Sequence, residues 1–385
     1  MSPRRSTSAV FLVHAGIAGT LAPRIPAIKE DVGLGDGQLG VALTGFAAGL
    51  FVGTRVAAWL VDRFGSRRVV EAGLPLFAAC LVGPALAGRL ASLTVALVPL
   101  GIASGLVDVA MNAQAVEVER SLRRPIMGSF HGFWSAGLLA SSAVTAGVAA
   151  AGVSVRTNLV VAAALLALLA LLAPRGLLRG GRGAPAREAR RRGGLAVTVL
   201  ALGVIGFCSF LGEGAAADWS GVYLHEDAGS SAGLAAFAFT AFAVGMVLSR
   251  FCADLLSARF GPVSVVRVGG LLAGVGLVLG LAVVEVPAVL LAFALLGLGL
   301  APIVPVVFSA AANVGTGARA LGWVVTMSYV GVVLGPAVIG AVAHGVGLRW
   351  GLAIPAALAL VAVALAGYTG TAAGPERAAP SPPVP

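Results

Sequence analysis

The chain has 385 residues, of which 58% are hydrophobic and 11% charged; its mean hydropathy is +0.99 and its formal net charge +10. Soluble domains carry about 25% charged residues, so an ordinary soluble domain is excluded and the chain reads as an integral membrane protein. Cys80, Cys208 and Cys252 stand singly among apolar residues, which excludes a disulfide framework or metal spacing.

Met1–Ser8 is a short Arg-bearing flank. The apolar stretch after it leads into PRIP rather than a small-residue cleavage site, so no cleaved leader is expected. Twelve apolar segments are predicted as membrane helices, near 9–28, 38–61, 69–88, 93–117, 126–151, 155–173, 195–223, 231–256, 263–284, 286–311, 320–344 and 348–368. The first holds His14, read as a satisfied helix contact, and Arg24, which can snorkel outward. The second closes on WLVDRFGSRR (59–68), an acid beside a basic cluster at a helix–loop junction.

The fourth segment holds Asp108 as its one charge between 93 and 116. A carboxylate at mid-membrane costs about 2.5–3.5 kcal/mol even on the gentlest insertion scale, so it marks a substrate or proton site. Gly105, Asp108, Asn112 and Ala115 share one helical stripe. A structural hydrogen bond to a neighbouring helix is the plainer reading. In the fifth segment His131 and Trp134 share a face suited to a cyclic solute, or else to anchoring at the interface. Residues 174–194 hold seven Arg and one Glu among Gly and Pro, a flexible linker between six helices and six. In the seventh segment Glu213 is a second intramembrane acid, read as a pocket or gate residue. Trp219 and Tyr223 fit an aromatic belt nearer the outer interface.

GLFVGTRVAAWLVDRFG (49–65) and GMVLSRFCADLLSARFG (245–261) form a weak repeat at an offset of 196 residues. Asp108 then falls on Val304 and Asn112 on Phe308, which confines the polar chemistry to the first half. GLGLAPIVP (297–305) and GVVLGP (331–336) are expected to bend the tenth and eleventh helices. The eleventh also offers Trp323, Thr326, Ser328 and Tyr329. The Pro-rich end from Gly370 reads as disordered.

With the N-terminus inside, 21 of the 26 basic residues flank the inner ends and five the outer ends. This asymmetry predicts cytoplasmic termini and contact with anionic lipid, and makes nucleic acid a poor partner. The expected organisation is an N-terminal six-helix bundle over 1–173, a basic linker over 174–194, a C-terminal bundle over 195–369 and a tail over 370–385.

The 59–68 loop resembles the motif of the major facilitator superfamily between helices 2 and 3. Asp62, Arg63, Gly65, Arg67 and Arg68 fit it, with Ala58 replacing the leading Gly and Asp254 of the second copy out of register. The resemblance implies a conformational lock at these residues. GLVDVAMNAQAVEVE, SFHGFWSAG and EGAAADWSGVYL resemble the bacterial YbjJ-type branch, which is similar to the fucose:proton symporters. In those symporters the matching acid of helix 4 is implicated in proton-coupled sugar transport; they also use an acid in helix 1, where this chain has His14 and Arg24.

The expected fold is therefore all-α, two six-helix bundles facing a central cavity, with alternating access and binding near the midplane. The expected function is a monomeric, proton-coupled transporter of a small polar solute such as a sugar, in the cytoplasmic membrane. Asp108 would carry the proton; Asn112, His131, Trp134 and Glu213 would bind solute. A drug:proton antiporter exporting lipophilic compounds and a non-transporting receptor are the alternatives. No cofactor or metal is expected, and no nucleophile–base pair marks an enzyme.

Overall fold

The computed structural model of the chain describes residues 2–122, 126–179, 195–314 and 318–371. Among these, twelve helices are long and apolar enough to cross a membrane. In chain order they are α1 (Pro3–Val32), α2 (Asp36–Phe64), α3 (Ser66–Ala85), α4 (Leu90–Leu122), α5 (Ser129–Ala150), α6 (Val155–Gly176), α7 (Val197–Glu226), α8 (Ala232–Arg250), α9 (Arg259–Val283), α10 (Val286–Ala311), α11 (Ala320–Val346) and α12 (Leu348–Leu365). An even number of crossings puts both chain ends on one face, here the terminal face; the other is the far face. In lipid a helix satisfies its own backbone polar groups, which is why apolar segments of this length take that form.

Small polar residues start several helices. Ser2, Ser154 and Ser231 each accept a backbone N–H from three residues on, at the starts of α1, α6 and α8. Prolines shape helix interiors. α1 passes through a 3-10 turn at Ala22–Arg24, with Pro23 inside it and Pro26 just beyond. α10 breaks at Ala301–Pro302, as the Gly/Pro cluster predicts. In α11, Pro336 sits inside a helix that runs unbroken over Ala318–Val346. Membrane helices tolerate proline where neighbouring groups take over the freed carbonyl.

The 196-residue repeat has a physical content. A Cβ on Gly49 would fall 2.1 Å from the Val98 carbonyl oxygen, and one on Gly101 2.0 Å from that of Phe46. In the other half a Cβ on Gly245 would fall 2.0 Å from the Ala294 oxygen, and one on Gly297 2.1 Å from that of Phe242. α2 thus crosses α4, and α8 crosses α10, backbone to backbone at equivalent glycines. The closing glycines also correspond: Gly65 has φ 83° and Gly261 φ 78°, a region that other residues avoid.

The halves meet closely at the far face. A Cβ on Gly40 would fall 2.6 Å from the Pro336 oxygen, and one on Gly340 2.9 Å from the Gly40 Cα, where α2 crosses α11. Gly221 of α7 is similarly tight against Pro26 of α1. Ion pairs reinforce this seam: Lys29 Nζ lies 2.6 Å from Asp36 Oδ1 and pairs with Glu226 of the other half, while His225 Nε2 lies 2.6 Å from Glu30 Oε1. At the terminal face, Trp59 of α2 and Trp323 of α11 are 59% and 58% exposed.

Two expectations about large or charged side chains fail. Arg24 does not snorkel; it is buried, donating from Nε to Asn158 Oδ1 at 2.8 Å and from its terminal nitrogen to the Val153 carbonyl. Asn158 of α6 and the carbonyl of Val153, in the loop just before it, supply the acceptors. Trp219 and Tyr223 are no interfacial belt either, since both are packed inside the protein. They lie on the inward side of α7, with Tyr223 Oη donating to the Leu281 oxygen at 3.4 Å.

Candidate functional site

Asp108 lies midway along α4, and its carboxylate is reached from the other half. Tyr329 of α11 donates its hydroxyl to Asp108 Oδ2 at 2.8 Å. Asn112, one turn along the same helix, spends its amide there, donating to the Asp108 carbonyl at 2.8 Å and to Oδ1 at 3.4 Å. Phe210 packs edge-on against Tyr329, ring centroids 5.4 Å apart, and against Phe308 on its other contact, 6.2 Å away. Phe308 is the repeat counterpart of Asn112, so an amide faces this centre from one half and an aromatic ring from the other.

His14 and Trp134 form the next layer. Trp134 Nε1 donates to His14 Nδ1 at 3.2 Å. An imidazole nitrogen that accepts leaves the proton on the other, so Nε2 donates to the Ser104 carbonyl, 3.3 Å away. His14 is thus the satisfied helix contact its sequence context predicts, and it positions Trp134. His131 stands edge-on to Phe11, centroids 5.5 Å apart, within electrostatic range of Asp108.

Arg250 completes the cluster. Its Nη1 donates to Ser135 Oγ of α5 at 2.6 Å, and its guanidinium carbon lies 5.4 Å from the centre of the Trp134 ring. Glu213 of α7 is half-buried, and its charge and that of Arg250 act on each other. Asp108, Asn112, His131, Trp134 and Glu213 therefore gather in one region. Arg250 and Tyr329 join them from outside the expected set. The apolar segment 231–256 already enclosed Arg250, which was the signal; counting it as a basic flank concealed it. Tyr329 stood in a noted patch, and nothing local tied it to Asp108.

The loop residues sit apart, at the terminal face. Asp62 is exposed and makes no hydrogen bond or ion pair among the described residues. Arg67 Nε pairs with Glu71 at 2.7 Å and its Nη1 donates to the Leu177 oxygen at 3.1 Å. Arg63 lies over the Phe64 ring, and Arg68 is exposed. A cleft of about 540 Å³ opens here, lined by Arg63, Gly65, Arg68 and Arg179 among others, well away from Asp108. Gln114 ties the start of the linker to α3, donating to Ser66 Oγ at 2.8 Å and the Leu178 oxygen at 2.9 Å. Arg123 and Arg124, potential partners of Asp62, lie outside the described residues, as do the side chain of Asp254, linker residues 180–194 and the tail beyond 371.

Twelve spans in two halves, a repeat that places the same helix crossing in each, and a polar cluster between the halves define a multi-pass membrane transporter. The sequence profile of the Major Facilitator Superfamily matches residues 7–202 and again 202–385. The chain belongs to that superfamily. It is 32% identical over 355 residues to an uncharacterised transporter of Sinorhizobium fredii, covering 91% of this chain and 93% of that one. An uncharacterised MFS-type transporter of Yersinia pestis is 32% identical over 345 residues, 87% of each chain. The membrane protein MosC of Rhizobium meliloti is 31% identical over 342 residues, 88% of this chain and 83% of that one. A variant of the nucleoside transporter NupG shares the fold with a TM-score of 0.73 at 13% identity, covering 97% of this chain and all of that one. A bacterial homologue of the human lysosomal transporter Spinster, inward-facing and occupied, gives 0.68 at 15% identity and 95% coverage of both chains.

Proposed function

We propose that the chain is a secondary active transporter that moves a small polar solute across the cytoplasmic membrane by alternating access, coupled to protons at Asp108. The bond between Asp108 and Tyr329 across the two halves carries this reading. An ionised carboxylate at this depth demands water or a partner, whereas a protonated one can be occluded. A hydroxyl reaching it from the opposite half couples that proton to the separation of the halves. Asn112, His131, Trp134 and Glu213 surround the same space and serve the solute. Their types, and the resemblance of the helix-4 motif to the fucose:proton symporters, favour a sugar-like solute. The positive-inside asymmetry puts both termini in the cytoplasm. Asp62 acts as a lock when the terminal face closes, an arrangement in which its carboxylate gains partners. One chain supplies every residue of the cluster, so a monomer suffices.

A second reading, export of lipophilic compounds against protons, draws on the Tyr329–Phe210–Phe308 aromatics and on the amide of Asn112 being turned back to its own helix. Purified protein in proteoliposomes separates the two. Labelled sugars should enter with an imposed pH gradient, and Asp108→Asn should retain solute counterflow while losing pH-driven uptake. Full pH-driven uptake in the variant would remove Asp108 from the coupling step. Proton-driven efflux of lipophilic cations without sugar movement would favour the export reading.

A further inference from the structure

The guanidinium of Arg250 is under-used. Arginine stays charged in every protein environment and offers five donors in a planar fork. Here one donor goes to the neutral hydroxyl of Ser135, and Nε is buried with no hydrogen-bond partner. No carboxylate oxygen among the described residues comes within 4.0 Å of it. Glu213 acts on it only through space. A buried cation without an anion in contact is costly, and natural sites supply the missing partner. The fork lies beside Trp134 and Ser135, next to the residues assigned above to the solute.

We propose that Arg250 is the anion-receiving group of the site, and that the solute is a hydroxylated carboxylate of the sugar-acid type. The proposal rests on the transport reading above and specifies its solute. A carboxylate offers two oxygens that match the guanidinium fork. Its hydroxyls face Asn112, Tyr329 and Ser135. The charges then explain why acids share the site. Arg250 contributes one positive charge, Asp108 and Glu213 one negative charge each, and the solute another. A neutral occluded site therefore holds both carboxyls protonated. Because α8 carries Arg250 and α5 carries Ser135 and Trp134, a solute that takes the guanidinium from Ser135 also releases a contact between the halves.

The test measures binding of matched probes to the purified full-length protein: gluconate against glucitol, glucuronate against glucose, and glycerate against glycerol. At least one carboxylate should bind ten-fold or more tightly than its neutral analogue. Arg250→Lys, which keeps the charge and loses the fork, should reduce that preference by ten-fold, and Arg250→Gln should abolish it. If Arg250 serves only as counter-ion to Glu213, the pair Arg250→Gln with Glu213→Gln should restore wild-type preference, and that result overturns the proposal. So does a preference that survives Arg250→Gln, binding of neutral probes alone, or binding of no probe. Neutral sugars carried with protons would leave the transport reading intact while sinking this one. A carboxylate bound but never carried in proteoliposomes would do the reverse.

Discussion

Asp108 was legible because a lone charge in an apolar helix has no cheap structural excuse, and its position needed only local sequence. Its partner was not. Tyr329 lies 221 residues away, and no local pattern states which face of α11 meets α4. Arg250 was missed for a related reason: an arginine near a helix end looks the same whether it faces lipid headgroups or turns inward, until the neighbouring helix is in place. The Asp108–Tyr329 bond has a measurable worth. A hydrogen bond to a charged group contributes about 1.5–3 kcal/mol, or about 10- to 150-fold in an equilibrium at 1.4 kcal/mol per ten-fold. Tyr329→Phe should therefore favour separation of the far face. A reporter cysteine on that face, in a background lacking Cys80, Cys208 and Cys252, should label at least ten-fold faster. An unaltered labelling rate would mean that the hydroxyl holds nothing together.

The helices themselves follow from apolar runs of the right span, and their pairing within each half follows from glycine. Gly49, Gly65, Gly101 and their partners 196 residues on could be aligned from sequence; that two of each set sit on a facing carbonyl could not, because small residues also reflect plain composition. The break in α10 was foreseeable from Ala301–Pro302, and Pro336 lies within the unbroken α11. These crossings set a steric limit. Gly297→Ala puts a methyl carbon 2.1 Å from the Phe242 oxygen, and Gly101→Ala puts one 2.0 Å from that of Phe46. Overpacking of this kind costs about 1–3 kcal/mol, so both variants should melt at lower temperature in detergent. Gly147→Ala, where the new carbon meets nothing within 4 Å, should melt as the wild type does. Equal melting of all three would show that the crossings relax freely.

Taken together, the two halves are joined at the far face by charge. Lys29 of α1 is buried and pairs with Asp36 and Glu226, while Glu30 meets His225. None of this was visible in the sequence, where these residues read as ordinary loop flanks. Asp227, just beyond α7, belongs to the same group. The residue stands exposed at the far face, where partial desolvation pushes its carboxyl up from 3.8 to about 6, helped by Glu226 and Asp36 and opposed by Lys29 and Arg349. Its protonated form is therefore favoured when the seam is closed. The stabilisation is complete below pH 3.8 and is lost as pH rises through about 6. Far-face labelling should speed up across that interval in the wild type, and Asp227→Asn should flatten this part of the profile. The Glu30–His225 pair is present in both proteins, so its contribution cancels in the difference. Identical profiles would remove Asp227 from the seam's energetics.

The crossing of Gly40 with Gly340 lets form and timing be governed separately. Two bare backbone surfaces interlock no side chains, so parting them requires no rotamer to change place; they behave as a bearing without teeth. The charges around Lys29, together with the Asp108–Tyr329 bond, hold the bearing shut. In the alternating-access cycle proposed above, the glycines would fix the pose to which the halves return, while salt and acidity at the far face would set how often they leave it.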